Sequence, residues 1–223
     1  FDVYPLFDTH LEKGKGCYVY DTNGQKYLDF YGGHAVISIG HAHEHYIKRI
    51  TDQLHKLSFY SNSVQLDIQQ EFASKLGQLS GCDDYHLFLI NSGAEAIENA
   101  LKVASFHNGR KKIIAFKGAF HGRTSAAVAV TDNPKIKAPI NDDSNVIFLA
   151  LNDVHALTNA FNEHEICAVV VESIQGINGI YEANASFLQQ IQALCHQHNA
   201  LFIADEIQCG YGRSGKFFAF QYA

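Results

Sequence analysis

An α/β fold with a mainly parallel sheet, helices on both faces, is what this sequence predicts, and three observations predict it. Short apolar runs at His86–Ile90, Ile113–Phe116, Val146–Leu149, Ala168–Val171 and Leu201–Ala204 read as strands buried on both faces. Segments with helical patterning separate the later runs, at about Ala94–Phe106, Asp153–His164 and Ser186–His198, and strand–helix alternation builds parallel sheet. Polar, glycine-bearing motifs follow the runs directly, where open α/β sheets bind ligands.

Residues 1–45 have a different character. Cys17–Tyr20 and Lys26–Tyr31 are β-prone and are joined by Asp21-Thr22-Asn23-Gly24, a hairpin turn signal. In GGHAVISIGHAHEHY, His41, His43 and His45 alternate, so on a strand they would share one face as metal ligands do. The other reading is a polar turn into the next helix. No cysteine or carboxylate cluster accompanies the histidines, so no metal is expected. Tyr46–Leu57 and Gln65–Leu79 then read as amphipathic helices, with Ile47, Ile50, Leu54 and Leu57 at helical spacing. The polar and aromatic loop Ser58–Ser63 between them is either a plain connection or the rim of a site.

Composition excludes several classes of function. The 223 residues are 47% hydrophobic and 18% charged, enough to fill a sizeable core. A formal net charge of −6, without any basic run, offers no footprint for nucleic acid or an acidic membrane. No stretch approaches transmembrane length, and FDVYPLFDTH does not read as a signal peptide. Cys17, Cys82, Cys167, Cys195 and Cys209 are odd in number, scattered and free of any CxxC pattern, which fits reduced thiols in a cytoplasm. The chain contains no methionine and ends on the apolar run FFAFQYA, from which a longer chain is expected.

Four motifs carry the chemistry. Ala200–Lys216 reads ALFIADEIQCGYGRSGK, a buried strand that stops at Asp205 and Glu206. A buried lone carboxylate needs a cation or a good donor. Asp205 therefore either faces a protonated ring nitrogen of a cofactor, or caps a helix or pairs with a nearby Arg or Lys. In Asn91-Ser92-Gly93-Ala94-Glu95-Ala96, Ser92 and Glu95 make a capping box that opens a helix. Gly93 and Ala94 add no bulk at its first amides, so it is either an ordinary capped helix or a phosphate site. It is neither a P-loop nor GxGxxG, which weighs against nucleotide. In Gly118-Ala119-Phe120-His121-Gly122-Arg123, Phe120 is a candidate plate for a planar ring, and Arg123 a candidate fork for a carboxylate. The alternatives are core packing and a surface cation. Glu172-Ser173-Ile174-Gln175-Gly176 again ends an apolar run on an acid, which could simply pair with Arg or Lys. A phosphate cradle, an aromatic plate, a carboxylate clamp and a buried acid on one sheet edge suit pyridoxal phosphate better than NAD.

NSGAEA, AFHGRT, ESIQG and ADEIQCGYGRSGK, in this order and spacing, resemble class III aminotransferases of the acetylornithine and ornithine type. GQKYLDFYGGHAVISIGHAH resembles the N-terminal segment of the same family, so nearly the whole chain is covered. The resemblance implies a fold type I architecture binding pyridoxal 5'-phosphate. Residues 1–50 would belong to the small domain and 51–223 to an incomplete large domain, in a cytoplasmic homodimer. It implies that Gly93 and Ala94 hold the cofactor phosphate, Phe120 stacks on the ring and Arg123 binds the substrate carboxylate. Asp205 would pair with the pyridine nitrogen as the catalytic acid, and Gln208 would contact the ring hydroxyl side. Ser173 replaces the family's proline, and Ile177 stands in place of a second glutamate that shapes the substrate pocket in relatives. The family's Schiff-base lysine, its partner-subunit threonine and its C-terminal domain have no match in the chain; Lys216 is not at the lysine's position.

The expected activity is transfer of the terminal amino group of N-acetylornithine, or a related N-acylornithine, to 2-oxoglutarate in arginine biosynthesis. Ornithine, N-succinylornithine and 4-aminobutyrate are the alternative donors. The rivals from other classes are a non-catalytic cofactor-fold fragment or interaction module, and a metal hydrolase built on His41, His43 and His45.

Overall fold

The computed structural model describes residues 5–61 and 63–223. The first four residues of FDVYPLFDTH, and Asn62 in the Ser58–Ser63 loop, lie outside them. The chain separates into two compact units, Phe1–Glu71 and Phe72–Ala223.

The first unit begins with an antiparallel sheet of β1 (Leu11–Lys15), β2 (Tyr18–Asp21) and β3 (Lys26–Leu28), in the order β1-β2-β3. The β2–β3 turn forms where the sequence places it. Asp21 Oδ1 accepts the N–H groups of Asn23 and Gln25, both at 2.9 Å, and Gly24 supplies the left-handed backbone at φ +83°. After a single turn, α1 (Gly32–Ala35), comes α2 (Glu44–Lys56). Ile47, Ile50 and Leu54 line one face of α2, with Leu57 as its C-cap, and each is exposed.

The three histidines do not share a strand. His41 Nε2 bonds Asp29 Oδ2 at 2.7 Å, His43 is the N-cap of α2, and His45 lies inside that helix. Only His45 lies in the helix, while His43 caps it and His41 forms an isolated bridge with Gly16. α3 (Asp67–Ser80) leads from the first unit into the second.

The second unit is a parallel sheet covered on both sides. Its elements are α4 (Gly93–Asn108), β4 (Lys112–Phe116), α5 (Ser125–Ala129), β5 (Val146–Leu149), α6 (Val154–Glu163), β6 (Ile166–Glu172), a small β7 (Ile174–Gln175) and β8 (Tyr181–Glu182) ribbon, α7 (Ala185–Gln197) and β9 (Leu201–Asp205). The order is β5-β4-β6-β9 and every pairing is parallel. Alternate strand residues point to opposite layers. Ile114, Phe116, Val169 and Val171 pack with Leu157 and Phe161 of α6 and Phe187 and Ile191 of α7. Ala115 and Val170 pack with Ile97 and Leu101 of α4 and Ala127 of α5. All seven residues of the central β6 are buried, which is why its sequence is continuously apolar up to Glu172.

One expected strand does not form. Residues 86–90 join no ladder among the described residues, and His86, Phe88 and Leu89 are exposed. A strand is stabilised by a partner's hydrogen bonds, not by its own side chains. Four of the five apolar runs therefore make the sheet. No helix among the described residues is long and apolar enough to cross a membrane.

Candidate active site

Three of the four motifs occupy carboxyl ends of strands in the second unit: residues 117–123 after β4, 172–176 at the end of β6, and 205–208 at the end of β9. The fourth opens α4. Ser92 Oγ accepts the Glu95 N–H at 3.2 Å, as a capping box requires. The reciprocal bond is displaced by one residue, because Glu95 Oε2 takes the Asn91 N–H at 2.8 Å instead of that of Ser92. The first amides of a helix have no intrahelical partner, so those of Gly93 and Ala94 face outward from its positive end. A Cβ on Gly93 would lie 2.8 Å from Ile207 Cγ2, so glycine keeps this helix start close to the end of β9.

Asp205 is 4% exposed and has two donors. His121 Nδ1 lies 2.7 Å from Asp205 Oδ2, and the Ile207 N–H reaches Oδ1 at 3.0 Å. Its partner is thus a histidine from the motif after β4, neither an Arg nor a Lys. With Nδ1 donating to the carboxylate, His121 Nε2 is turned inward, buried and unpartnered among the described residues. An orphaned buried polar atom beside a buried carboxylate is uncommon and marks a place built for a further polar group.

Among the described residues, Glu172 likewise forms no salt bridge with Arg or Lys. Its Oε1 accepts the Phe120 N–H at 2.9 Å, so the strand end of β6 holds the turn that carries Phe120 and His121. Thr131 Oγ1 receives the His121 N–H at 2.9 Å from the other side. Burial pushes the Glu172 carboxyl up to about 7, against the Phe120 N–H and His121, which lower it; Asp205 adds to the rise.

The α4 and β4 motifs also meet. Gly122 has φ +132°, and a Cβ there would lie 2.6 Å from the Ala94 Cβ, so only glycine lets the turn approach the helix start. Thr124 Oγ1 donates to Glu98 Oε2 at 2.7 Å, and the same oxygen takes the N–H groups of Ala126 and Ala127 at the start of α5. Arg123 is exposed at the end of this turn, and Phe120 is half-buried. Gln208 is half-buried against Gly176, where a Cβ would collide with its Oε1, so the ESIQG and DEIQ loops touch.

The structure thus joins Gly93, Ala94, Phe120, Asp205 and Gln208 in one region of the second unit. Arg123 stands at its exposed margin. One participant, His121, was given no role from sequence, and the partner of another, Glu172, was not found. His121 was visible only as the residue between Phe120 and the Gly122-Arg123 pair. Glu172 had signalled itself as a polar residue ending an apolar run, but not its tie to Phe120.

Comparison with known proteins identifies the family. The family model "Aminotransferase class-III" matches residues 3–223. The acetylornithine aminotransferase of Archaeoglobus fulgidus is 44% identical over 210 residues, covering 94% of this chain and 55% of that protein. The [LysW]-aminoadipate semialdehyde/glutamate semialdehyde transaminase of Sulfurisphaera tokodaii is 39% identical over 213 residues, covering 95% and 54%. The crystal structure of the ornithine aminotransferase from Toxoplasma gondii superimposes with a TM-score of 0.90 at 28% identity, covering all of this chain and 54% of that one. The chain thus spans about half the length of these relatives.

Proposed function

This chain belongs to the class-III aminotransferases, and we propose that the protein carrying it transfers the terminal amino group of N-acetylornithine, or a close N-acylornithine, to 2-oxoglutarate. The reading includes pyridoxal 5'-phosphate as cofactor, a homodimeric enzyme, a cytoplasmic setting and a place in arginine biosynthesis. The observation that carries it is the buried Asp205 carboxylate, fixed by His121 at 2.7 Å at the carboxyl end of the sheet.

The residues present fit the cofactor. A phosphate needs amide donors at a helix start, and the small Gly93-Ala94 pair gives access to them. A ring nitrogen that must stay protonated needs a buried anion, and Asp205 is one. When bound, pyridoxal 5'-phosphate supplies the electron sink for moving an amino group.

The work of the chain is to bind and orient. Gly93 and Ala94 would hold the phosphate. Asp205 would keep a ring nitrogen protonated, and the His121 bond restrains its carboxylate. Phe120 would stack on the ring and exclude water there, and Gln208 would contact its hydroxyl side. Arg123, at the rim, receives the far carboxylate of the donor through its fork of N–H groups.

The test is a donor series on the full-length enzyme with 2-oxoglutarate as acceptor: N-acetylornithine, N-succinylornithine, ornithine and 4-aminobutyrate. The highest kcat/KM is expected for N-acetylornithine. A preference for 4-aminobutyrate would replace the assigned donor, and no transfer from any of the four would overturn the reading.

A further inference from the structure

Glu172 and Asp205 are register partners across the parallel β6–β9 ladder, so two carboxylates stand side by side at the sheet's carboxyl end. Both are more than nine-tenths buried. Two like charges this close in a dry site are not both ionised cheaply, so one of the pair tends to keep a proton. The hydrogen bonds decide which. Asp205 has an imidazole N–H and a backbone N–H, one on each oxygen. Glu172 has backbone donors, from Phe120 and Gly176. The titratable groups acting on Glu172 are His121, from the turn after β4, and Asp205, from β9. His121 is already committed to Asp205 through Nδ1.

We infer that Glu172 is the proton store of this site: it holds a proton in the cofactor-free protein and releases it to solvent when a cationic ring nitrogen settles against Asp205. The inference rests on the functional reading above and deepens it. Only one bond changes, the carboxyl O–H of Glu172. Its proton goes to water, no electron moves, and the charge of the cluster changes by one to balance the incoming cation. The rise of the Glu172 carboxyl to about 7 puts this exchange within reach at neutral pH. The Phe120 N–H can remain on Oε1 in both states, since a carbonyl oxygen and a carboxylate oxygen both accept. Glu172 is therefore a positioning residue for the Phe120–His121 turn that also buffers the charge around Asp205.

The experiment is calorimetric titration of the full-length enzyme with pyridoxal 5'-phosphate at pH 7, in two buffers of different ionisation enthalpy, for the wild type and Glu172→Gln. The wild type should release about half a proton more than the variant, because a group titrating near 7 is about half protonated there. Equal proton release with normal binding in both proteins would overturn the inference and leave the functional reading standing. Failure of the wild type to bind the cofactor would overturn both. Should Glu172→Gln not fold, carboxyl-13C glutamate NMR of the wild type decides. One glutamate should titrate near pH 7 without cofactor, and its midpoint should fall when cofactor is added. No such resonance, or a midpoint that does not move, would overturn the inference.

Discussion

Ser173 donates its hydroxyl to Glu206 Oε1 at 2.6 Å, tying the end of β6 to the loop after β9. The Glu206 carboxylate also takes the Ala219 and Phe220 N–H groups, at 2.7 and 2.8 Å, and the Cys209 thiol at 3.3 Å. The two acids of the Asp-Glu pair thus have separate tasks. Asp205 turns to His121, while Glu206 anchors the chain's last residues. This bond depends on the serine hydroxyl at position 173. Ser173→Ala should destabilise the full-length protein by about 1.5–3 kcal/mol, the usual loss for a hydrogen bond to a charged group. Ser173→Thr should keep most of it. Urea unfolding of the three proteins measures this, and equal midpoints for serine and alanine would show that the bond contributes nothing.

Asp205 should be indispensable for turnover. Asp205→Ala removes the anion proposed to face the ring nitrogen and leaves His121 Nδ1 without its partner. A loss of about a hundredfold or more in kcat is expected, the scale of losing a main electrostatic stabiliser. Asp205→Glu should keep only a little activity, because the longer side chain moves the carboxylate away from both donors. Steady-state kinetics of the full-length variants checks this; near-normal turnover in the alanine variant would remove Asp205 from the site.

Bulk at Gly93 should damage cofactor binding more than folding. A Cβ there would meet the Ile207 side chain first, at 2.8 Å from Cγ2 and 2.9 Å from Cδ1, and no backbone as close, so that side chain must shift to admit it. The phosphate, by contrast, must reach the helix amides themselves. Gly93→Val should raise the dissociation constant for pyridoxal 5'-phosphate by about tenfold or more, or roughly 1.4 kcal/mol, with a nearly unchanged thermal midpoint of the cofactor-free protein. Unchanged affinity would put the phosphate elsewhere.

Arg123→Lys keeps the charge and loses the fork. Arg123 is exposed, so losing one of two charge-assisted hydrogen bonds should cost about 1.5 kcal/mol, the low end for a bond to a charged group. The KM for N-acetylornithine should therefore rise by about tenfold, while cofactor affinity stays level and amines lacking that carboxylate suffer much less. An equal loss for both kinds of donor would make Arg123 a structural cation.

Stability should fall as pH rises from about 4.5 to 7. Burial raises the Glu172 carboxyl from an ordinary 4.5 to about 7 in the folded protein. The folded state therefore binds more protons than the unfolded one in that window. The neutral carboxyl's contribution is complete below 4.5 and is lost through 7, amounting to ~3 kcal/mol at most. Asp21, Asp29, Asp52 and Asp142, whose carboxyls are lowered, act with the opposite sign and only at more acid pH. The difference between wild type and Glu172→Gln isolates the effect. Unfolding midpoints should converge near pH 5 and separate in favour of the glutamine variant by pH 8. A constant difference across that range would contradict the shift.

Much of the fold was legible because it rests on local pattern. The helix α4 begins where Ser92 and Glu95 place it, and it ends at Gly109, whose φ of +70° closes the C-terminus. The runs that became β4, β5, β6 and β9 were readable as apolar segments of strand length. The extended segment 86–90 was misread because its composition resembles theirs, while a ladder depends on a neighbour that composition does not reveal. For His41, His43 and His45 the reading as a polar turn into a helix matches the structure, with His43 at the N-cap of α2 and His45 in its first turn.

The sequence by itself determined the α/β class, the parallel order of alternating elements and the positions of four polar motifs beyond apolar runs. Those follow from periodicity, capping and burial, which act over a few neighbouring residues. Only the tertiary structure decided the partners. His121 meets Asp205 across 84 positions of chain, and Phe120 meets Glu172 across 52. Such pairs arise because parallel strands bring all their carboxyl ends to one edge, where side chains from distant segments satisfy one another's buried charges. No local pattern encodes which acid receives the imidazole and which is left to hold the proton.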